Sequence, residues 1–245
     1  MEHNSPAPSD DTAHAQINES MVERTVGTII ELIRSRDLRP GDSMPSEAAQ
    51  ASHAGVSRIV VREANRYLSA LGILEITNGR TPRVSIPDEK VVGMLLEHVV
   101  HTRHVTIQQV LDIRRSLEVR AAALAALRRT DDEARQIMAH AQAMRAGYDD
   151  LEIMREHDVG LHAVVAEAAH NPLLSILIKS FAPLLRQMWP VGWKARVEEG
   201  ERDSMLRCHE AIAQAILDQD PSAARHAMSA HFDDTVRVLM NAGVT

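Results

Sequence analysis

Residues 87–245 carry helical periodicity and nowhere the apolar–polar alternation of a half-buried strand, so the larger part of this chain is constrained to a helical bundle. Helices are expected over residues 88–102, 106–129, 131–147, 150–169, 172–188, 197–219 and 221–241. Thr130-Asp131, Gly147, Asn171-Pro172, the stretch from Pro190 to Gly192, and Asp220-Pro221 mark the connections. Pro172 and Pro221 stand where a first-turn proline belongs. The chain is 44% apolar but only 2% aromatic, so its core must be aliphatic. Alanine runs such as RAAALAAL favour helix strongly. The reading is an all-α bundle of about seven helices.

The N-terminal third has a different grammar. Residues 1–16 are rich in Pro, Ser, Asp and Ala without periodicity and are expected to form a disordered tail. From Ile17 to Arg36 an apolar stripe of Val22, Val26, Ile29, Ile30 and Ile33 predicts a helix, which LRPGD stops. Ser46 caps a short helix, Gly55 marks a turn, and Ser57 caps a helix running to Ala70. ILEIT and PRVSI are short β-like runs separated by Asn78-Gly79, a hairpin signal. Residues 17–86 therefore read as a winged helix-turn-helix, and residues 87–245 as a separate helical domain.

The charge pattern agrees with a DNA reader. The chain carries a net charge of −7, yet residues 20–86 hold nine arginines against seven acids, the one net-positive segment. A recognition helix puts its N-terminal residues at base edges and phosphates. Here Arg58 and Arg62 share a helix face and can grip guanine O6 and N7 or clamp phosphate, while Ser57 can cap the helix and donate to phosphate. The bland alternative makes both arginines ordinary solvated charges.

Asp158 and His162 sit four apart in EHDVGLHAVVAEAAHN and project from one helix face, so they can hold one ion together. His209 and His231, on neighbouring predicted helices, would complete a cage of three imidazoles and one carboxylate. That donor set suits a divalent transition metal: zinc first, nickel or manganese as alternatives. With 13 histidines in the chain, chance pairs are expected, and His98, His101 and His104 read as a solvated or interface cluster. His157 points to a different face, and His170 abuts a helix end. The single cysteine, Cys208, excludes an intrachain disulfide framework. No apolar run approaches a membrane span, and no secretion signal is expected, so the expected location is the cytoplasm.

LRPGDSMPSE followed by GVSRIVVREANRYLSALGILE resembles the DNA-binding domain of GntR-type bacterial regulators. DIRRSLEVRAAALAA, then DxxxH, HNPLL, CHEAIAQAILDQD and AMSAHF, resemble the FCD effector domain of the FadR subfamily. The resemblance spans residues 20–240. It implies a homodimer on a pseudo-palindromic double-stranded operator, with DNA contacts at Ser57, Arg58, Arg62 and a wing tip at Gly79 and Arg80. Ala48 departs from the pattern, because many relatives carry a basic residue there. All four residues of the expected metal set match the family motif.

The resemblance also places Arg114 as the arginine facing the pocket, where it would grip a small carboxylate opposite the metal. The competing reading is an ion pair with Glu118 at i+4. Asn171 is a candidate for ligand hydroxyls or a helix cap, and Arg186, Trp189 and Trp193 are further pocket candidates. The implied function is a repressor controlled by a small hydroxy acid or sugar acid, and not an enzyme. The alternatives are a regulator in which the ion itself is the signal, a purely structural metal, and a metal-dependent hydrolase, for which no well-placed general base is found.

Overall fold

The computed structural model describes residues 10–77, 80–198 and 200–243, with side chains from residue 21 onward. The chain divides into two compact units after Asp88.

In the first unit, α1 (Asp10–Ser35), α2 (Glu47–Ala54) and α3 (Arg58–Ala70) precede two antiparallel strands, β1 (Leu74–Glu75) and β2 (Arg83–Val84). Leu74 pairs with Val84 and Glu75 with Arg83. The caps act as expected: the Ser46 hydroxyl accepts from Ala49 N, the Ser57 hydroxyl accepts from Val60 N, and Gly55 closes α2 at a φ of 67°, which favours glycine. Ile29, Leu32, Met44, Ala64, Leu68, Leu74 and Val84 form the core, and Val22, Val26, Ile30 and Ile33 pack against it.

Two expectations need correction. Residues 10–16, expected to belong to a disordered tail, are helical, because α1 begins at Asp10, and residues 1–9 lie outside the described residues. Beyond Pro8 the stretch to Gln16 has no proline or glycine and contains two alanines, so it lacks an apolar stripe but not helix propensity. The strands are two residues long rather than five. Asn78 and Gly79, expected to form the turn, lie outside the described residues.

The second unit comprises α4 (Lys90–His101), α5 (Ile107–Arg128), α6 (Asp131–Ala146), α7 (Leu151–Ala168), α8 (Pro172–Lys179), α9 (Ala182–Ala195), α10 (Glu201–Leu217) and α11 (Pro221–Asn241). Capping boxes start α5 (Thr106 with Gln109) and α6 (Thr130 with Glu133). Asp150, Asn171 and Asp220 cap α7, α8 and α11. The expected helix over residues 172–188 is in fact two. Pro183 stands in the first turn of α9, where its ring suits a helix start but would break a continuing helix. Pro190, expected to interrupt the chain, lies inside α9.

α5 is the centre of the bundle, packing on α11, α7, α10 and α8. Ala121 to Ala126, with Leu124 among them, are all buried, and their small side chains let neighbouring helices approach closely. Gly160 allows the same on α7, because the His140 ring of α6 occupies the space its Cβ would fill. One turn before the alanine run, α5 carries two buried charges, Arg114 and Glu118. Buried charges need partners, and these lead to the site.

Candidate functional site

His162 on α7, His209 on α10 and His231 on α11 each offer a ring nitrogen, and the three atoms lie within 4.8 Å of one another. All three residues are buried. The long spacings in sequence become short in space because α7, α10 and α11 converge around α5. Asp158, one turn before His162, adjoins the trio through His209: its Oδ1 is 2.8 Å from His209 Nε2.

Two of the histidines are oriented by groups that can only accept. His209 Nδ1 lies 2.8 Å from the carbonyl oxygen of Met205, so Nδ1 carries the hydrogen and donates it. His162 Nδ1 donates to Glu118 Oε2 in a short contact. In its neutral form each ring would thus present Nε2 with a free lone pair, the arrangement by which outer hydrogen bonds prepare imidazoles for a metal. His231 is kept neutral: burial pushes its pKa well below the ordinary value, and His209, His162, Arg114 and Arg196 push it the same way. At Asp158 burial acts to raise the pKa, but the neighbouring His209, His162 and Arg114 outweigh it and bring the carboxyl down to about 2.

His209 Nε2 supplies the test of whether an ion fits. It is fully buried and has no hydrogen-bond partner, although a carboxylate oxygen lies 2.8 Å away. The oxygen stands off the axis along which the ring could donate, so the close approach is not a hydrogen bond. A lone pair facing a carboxylate is repulsive unless a cation lies between them. Two ligands of one ion, each about 2.1 Å from it, stand roughly 3 Å apart and off each other's axis. The three imidazoles could together hold a divalent transition metal, with the Asp158 carboxylate beside them at His209.

Arg114 and Glu118 form one connected group with His162. Arg114 Nε and Nη2 donate to Glu118 Oε1, both at 2.8 Å, while Oε2 takes the histidine. Burial pushes the Glu118 carboxyl up, but Arg114 and His162 more than offset it and hold it below the ordinary value. The ion pair that competed with a pocket role is therefore present. Arg114 nevertheless also lines a cavity of about 90 Å³ beside Asp158, His162 and His231. Trp189 and Trp193, stacked with ring centroids 5.3 Å apart, line the same cavity, as do Arg196 and Thr235.

Two expected pocket residues are not there. Asn171 is the cap of α8, its side-chain oxygen accepting from Leu174 N at 3.3 Å. Its proline neighbour and the helix start explain the asparagine without a ligand. Arg186 is exposed and pairs with Glu156 at 3.2 Å, because it falls on the outer face of α9. Conversely, Glu118 and Arg196 belong to the site and were not singled out for it. Glu118 left a trace, a carboxylate inside an otherwise apolar helix face. Arg196 left none, since it lies past a proline and glycine that suggest a connection.

In the first unit, Arg58, Arg62, Arg66 and Arg80 line one open groove over α3, with Ala48 on its rim. Ser57 caps α3, one residue before Arg58. Arg62 is held by Glu47 at 2.9 Å, and the pair lowers the Glu47 pKa through that hydrogen bond despite slight burial. Arg58 has no acceptor among the described residues and is exposed. Gly79 lies outside the described residues.

A family model described as "Bacterial regulatory proteins, gntR family" matches residues 21–84, and the FCD domain model matches residues 109–234. The chain belongs to the GntR family, with an FCD domain. It is a transcription regulator with a DNA-binding unit and an effector-binding unit, and the metal-dependent hydrolase is set aside on that ground. The chain is 28% identical over 215 residues to the HTH-type transcriptional regulator LutR of Bacillus subtilis (strain 168), covering 85% of this chain and 96% of that one. It is 29% identical over 211 residues to the galactonate operon transcriptional repressor of Escherichia coli (strain K12), covering 84% and 90%. The solved structure of Streptococcus agalactiae GntR matches with a TM-score of 0.61 at 24% identity, over 88% of this chain and 99% of that one, a likeness of fold. No described helix is long and apolar enough to cross a membrane.

Proposed function

We propose that this GntR regulator is a cytoplasmic, homodimeric repressor whose FCD unit binds a small hydroxy acid or sugar acid beside a divalent metal ion. Asp158, His162, His209 and His231 hold the ion, with zinc the first choice. The observation that carries the reading is the cluster of His162, His209 and His231 ring nitrogens within 4.8 Å of one another, with the buried Nε2 of His209 2.8 Å from the Asp158 carboxylate but not hydrogen-bonded to it. When bound, the ion supplies a doubly positive point at which a carboxylate oxygen can be held. Arg114 contributes Nη1, the one nitrogen that Glu118 leaves free, and Glu118 fixes the guanidinium so that little entropy is lost on binding. Trp189 and Trp193 exclude water from the apolar side of the cavity. A cavity of about 90 Å³ supports a compact acid over a long acyl chain. The galactonate in the name of the Escherichia coli relative's operon is itself a sugar acid, which supports the class.

At the other end of the chain, Arg58 and Arg62, with Ser57, Gly79 and Arg80 around them, contact a pseudo-palindromic operator. Two recognition helices from a dimer match two half-sites. Effector binding favours the state of the helical unit that holds the acid, and operator affinity falls by the same coupling. The test is fluorescence anisotropy of labelled DNA from upstream of the regulator's own gene, with full-length, zinc-loaded protein. Titration with lactate, gluconate or galactonate should release the DNA, and chelation should abolish the release. Unchanged DNA affinity with every acid, alongside affinity that tracks free zinc, would replace this reading with the ion as signal.

A further inference from the structure

Arg196 is the second guanidinium on the cavity wall, and the position of its partners sets it apart from Arg114. It caps α9, is only 5% exposed, and donates Nη1 to Asp234 at 2.6 Å. Its Nε and Nη2 have no acceptor among the described residues, although the side chain lines the cavity. Thr235, next to Asp234, lines the cavity as well, and its hydroxyl donates to the His231 carbonyl at 2.9 Å, leaving its oxygen able to accept. A buried guanidinium with idle donors, lining the same cavity as a hydroxyl acceptor, is a recognition point for an oxygen that both accepts and donates, which is a hydroxyl.

The buried charges decide whether that second oxygen also belongs to a carboxylate. Arg114 is balanced by Glu118. Arg196 and Arg237 share Asp234, and Glu201 completes that group through Arg237 at 2.9 Å. Among the charged residues lining the cavity, Asp158 then stands alone against the two charges of a divalent ion, leaving a single positive charge to neutralise. One carboxylate balances it, and a second would leave an uncompensated negative charge in a buried space.

We infer that Arg196 is a specificity-determining residue that reads a hydroxyl of the effector, and that the cavity selects hydroxy monocarboxylic acids over both their deoxy counterparts and dicarboxylic acids. This rests on the acid-binding reading above and adds the residue and the rule of selection.

The test is calorimetric titration of full-length, zinc-loaded protein with two matched series: lactate, propionate and malonate, then gluconate, hexanoate and glucarate. A hydrogen bond to a charged group makes the hydroxy acid of each series bind roughly tenfold to a hundredfold more tightly than its deoxy partner. In Arg196→Gln the advantage of the hydroxy acid over its deoxy partner should vanish, whatever the loss of one positive charge does to both acids alike. Asp234 keeps Arg237 at 2.8 Å as a partner in that variant, and zinc content by mass spectrometry should match the wild type. Arg114→Gln should weaken all the monocarboxylates together. If the hydroxyl preference survives in Arg196→Gln while Arg114→Gln weakens every acid, this inference fails and the acid-binding reading stands. Malonate or glucarate binding as tightly as the hydroxy monocarboxylates would overturn the single-carboxylate rule. If no acid binds, both readings fall.

Discussion

Replacing Glu118 with glutamine changes one oxygen for an amide and tests how the site is held. Glu118 is 1% exposed and accepts from Arg114 through Oε1 and from His162 through Oε2. Glutamine keeps the shape but loses the charge. Its NH₂ must also face a donor, whichever way the amide is turned. Arg114, 5% exposed, becomes an uncompensated buried cation, and breaking such a pair costs about 3–5 kcal/mol. The hydrogen bond that orients His162 weakens at the same time, and loss of such an outer contact lowers metal affinity by about 10- to 100-fold. The assay pairs urea denaturation of the metal-free protein with chelator competition for zinc, with far-UV circular dichroism to show the variant is folded. Both quantities should fall. A loss of stability with unchanged zinc affinity would make Glu118 only a partner for Arg114, and the orienting role assigned to it would be refuted.

The remaining predictions concern the DNA unit and the bundle. Arg58→Ala should weaken operator binding by about 1–3 kcal/mol if the arginine reads a base, and otherwise shallow the salt dependence by about one unit; no change in either would remove it from the interface. Gly160→Ala should destabilise the second unit by about 1–3 kcal/mol, because the new methyl meets the His140 ring, and a normal melting temperature would show that the α6–α7 contact is looser than described. Glu133→Ala should cost about 1 kcal/mol by opening the capping box of α6. Burial raises the Glu133 pKa, but the Thr130 backbone and His170 bring it below the ordinary 4.5, so the deficit should be full above pH 4.5 and shrink as pH falls through the depressed value. A deficit independent of pH would mean the carboxylate is not what stabilises the helix start.

The parts of the fold legible in the sequence are those set by local rules. Ser57, Thr106, Thr130 and Asp220 announce helix starts because their side chains satisfy backbone donors two or three residues on, whatever the rest of the chain does. The split of residues 172–188 into α8 and α9 is not legible in the sequence, where Pro190 is the stronger break signal. Pro183 determined the boundary instead, at a point where Ser180 and Phe181 could be buried. The three-histidine cluster was legible because His162, His209 and His231 lie on amphipathic helices. The cavity was not, since its walls come from α5, α7, α9, α10 and α11 and depend on which faces turn inward. Arg186 and Arg196 illustrate this: both are arginines on or beside α9, and only the packing of that helix puts one outside and the other in the cavity.

The most direct test of the account is the metal-dependent thermal response to small acids. Purified protein would be assayed for bound metal, then melted with and without chelation against hydroxy and sugar acids. The account predicts that a hydroxy acid at about a hundred times its dissociation constant adds roughly 2.7 kcal/mol to the zinc-loaded protein. It predicts no shift after chelation, in Arg114→Ala or in His209→Ala. Metal-loaded protein that no acid stabilises, or an acid that stabilises chelated and loaded protein equally, would contradict it.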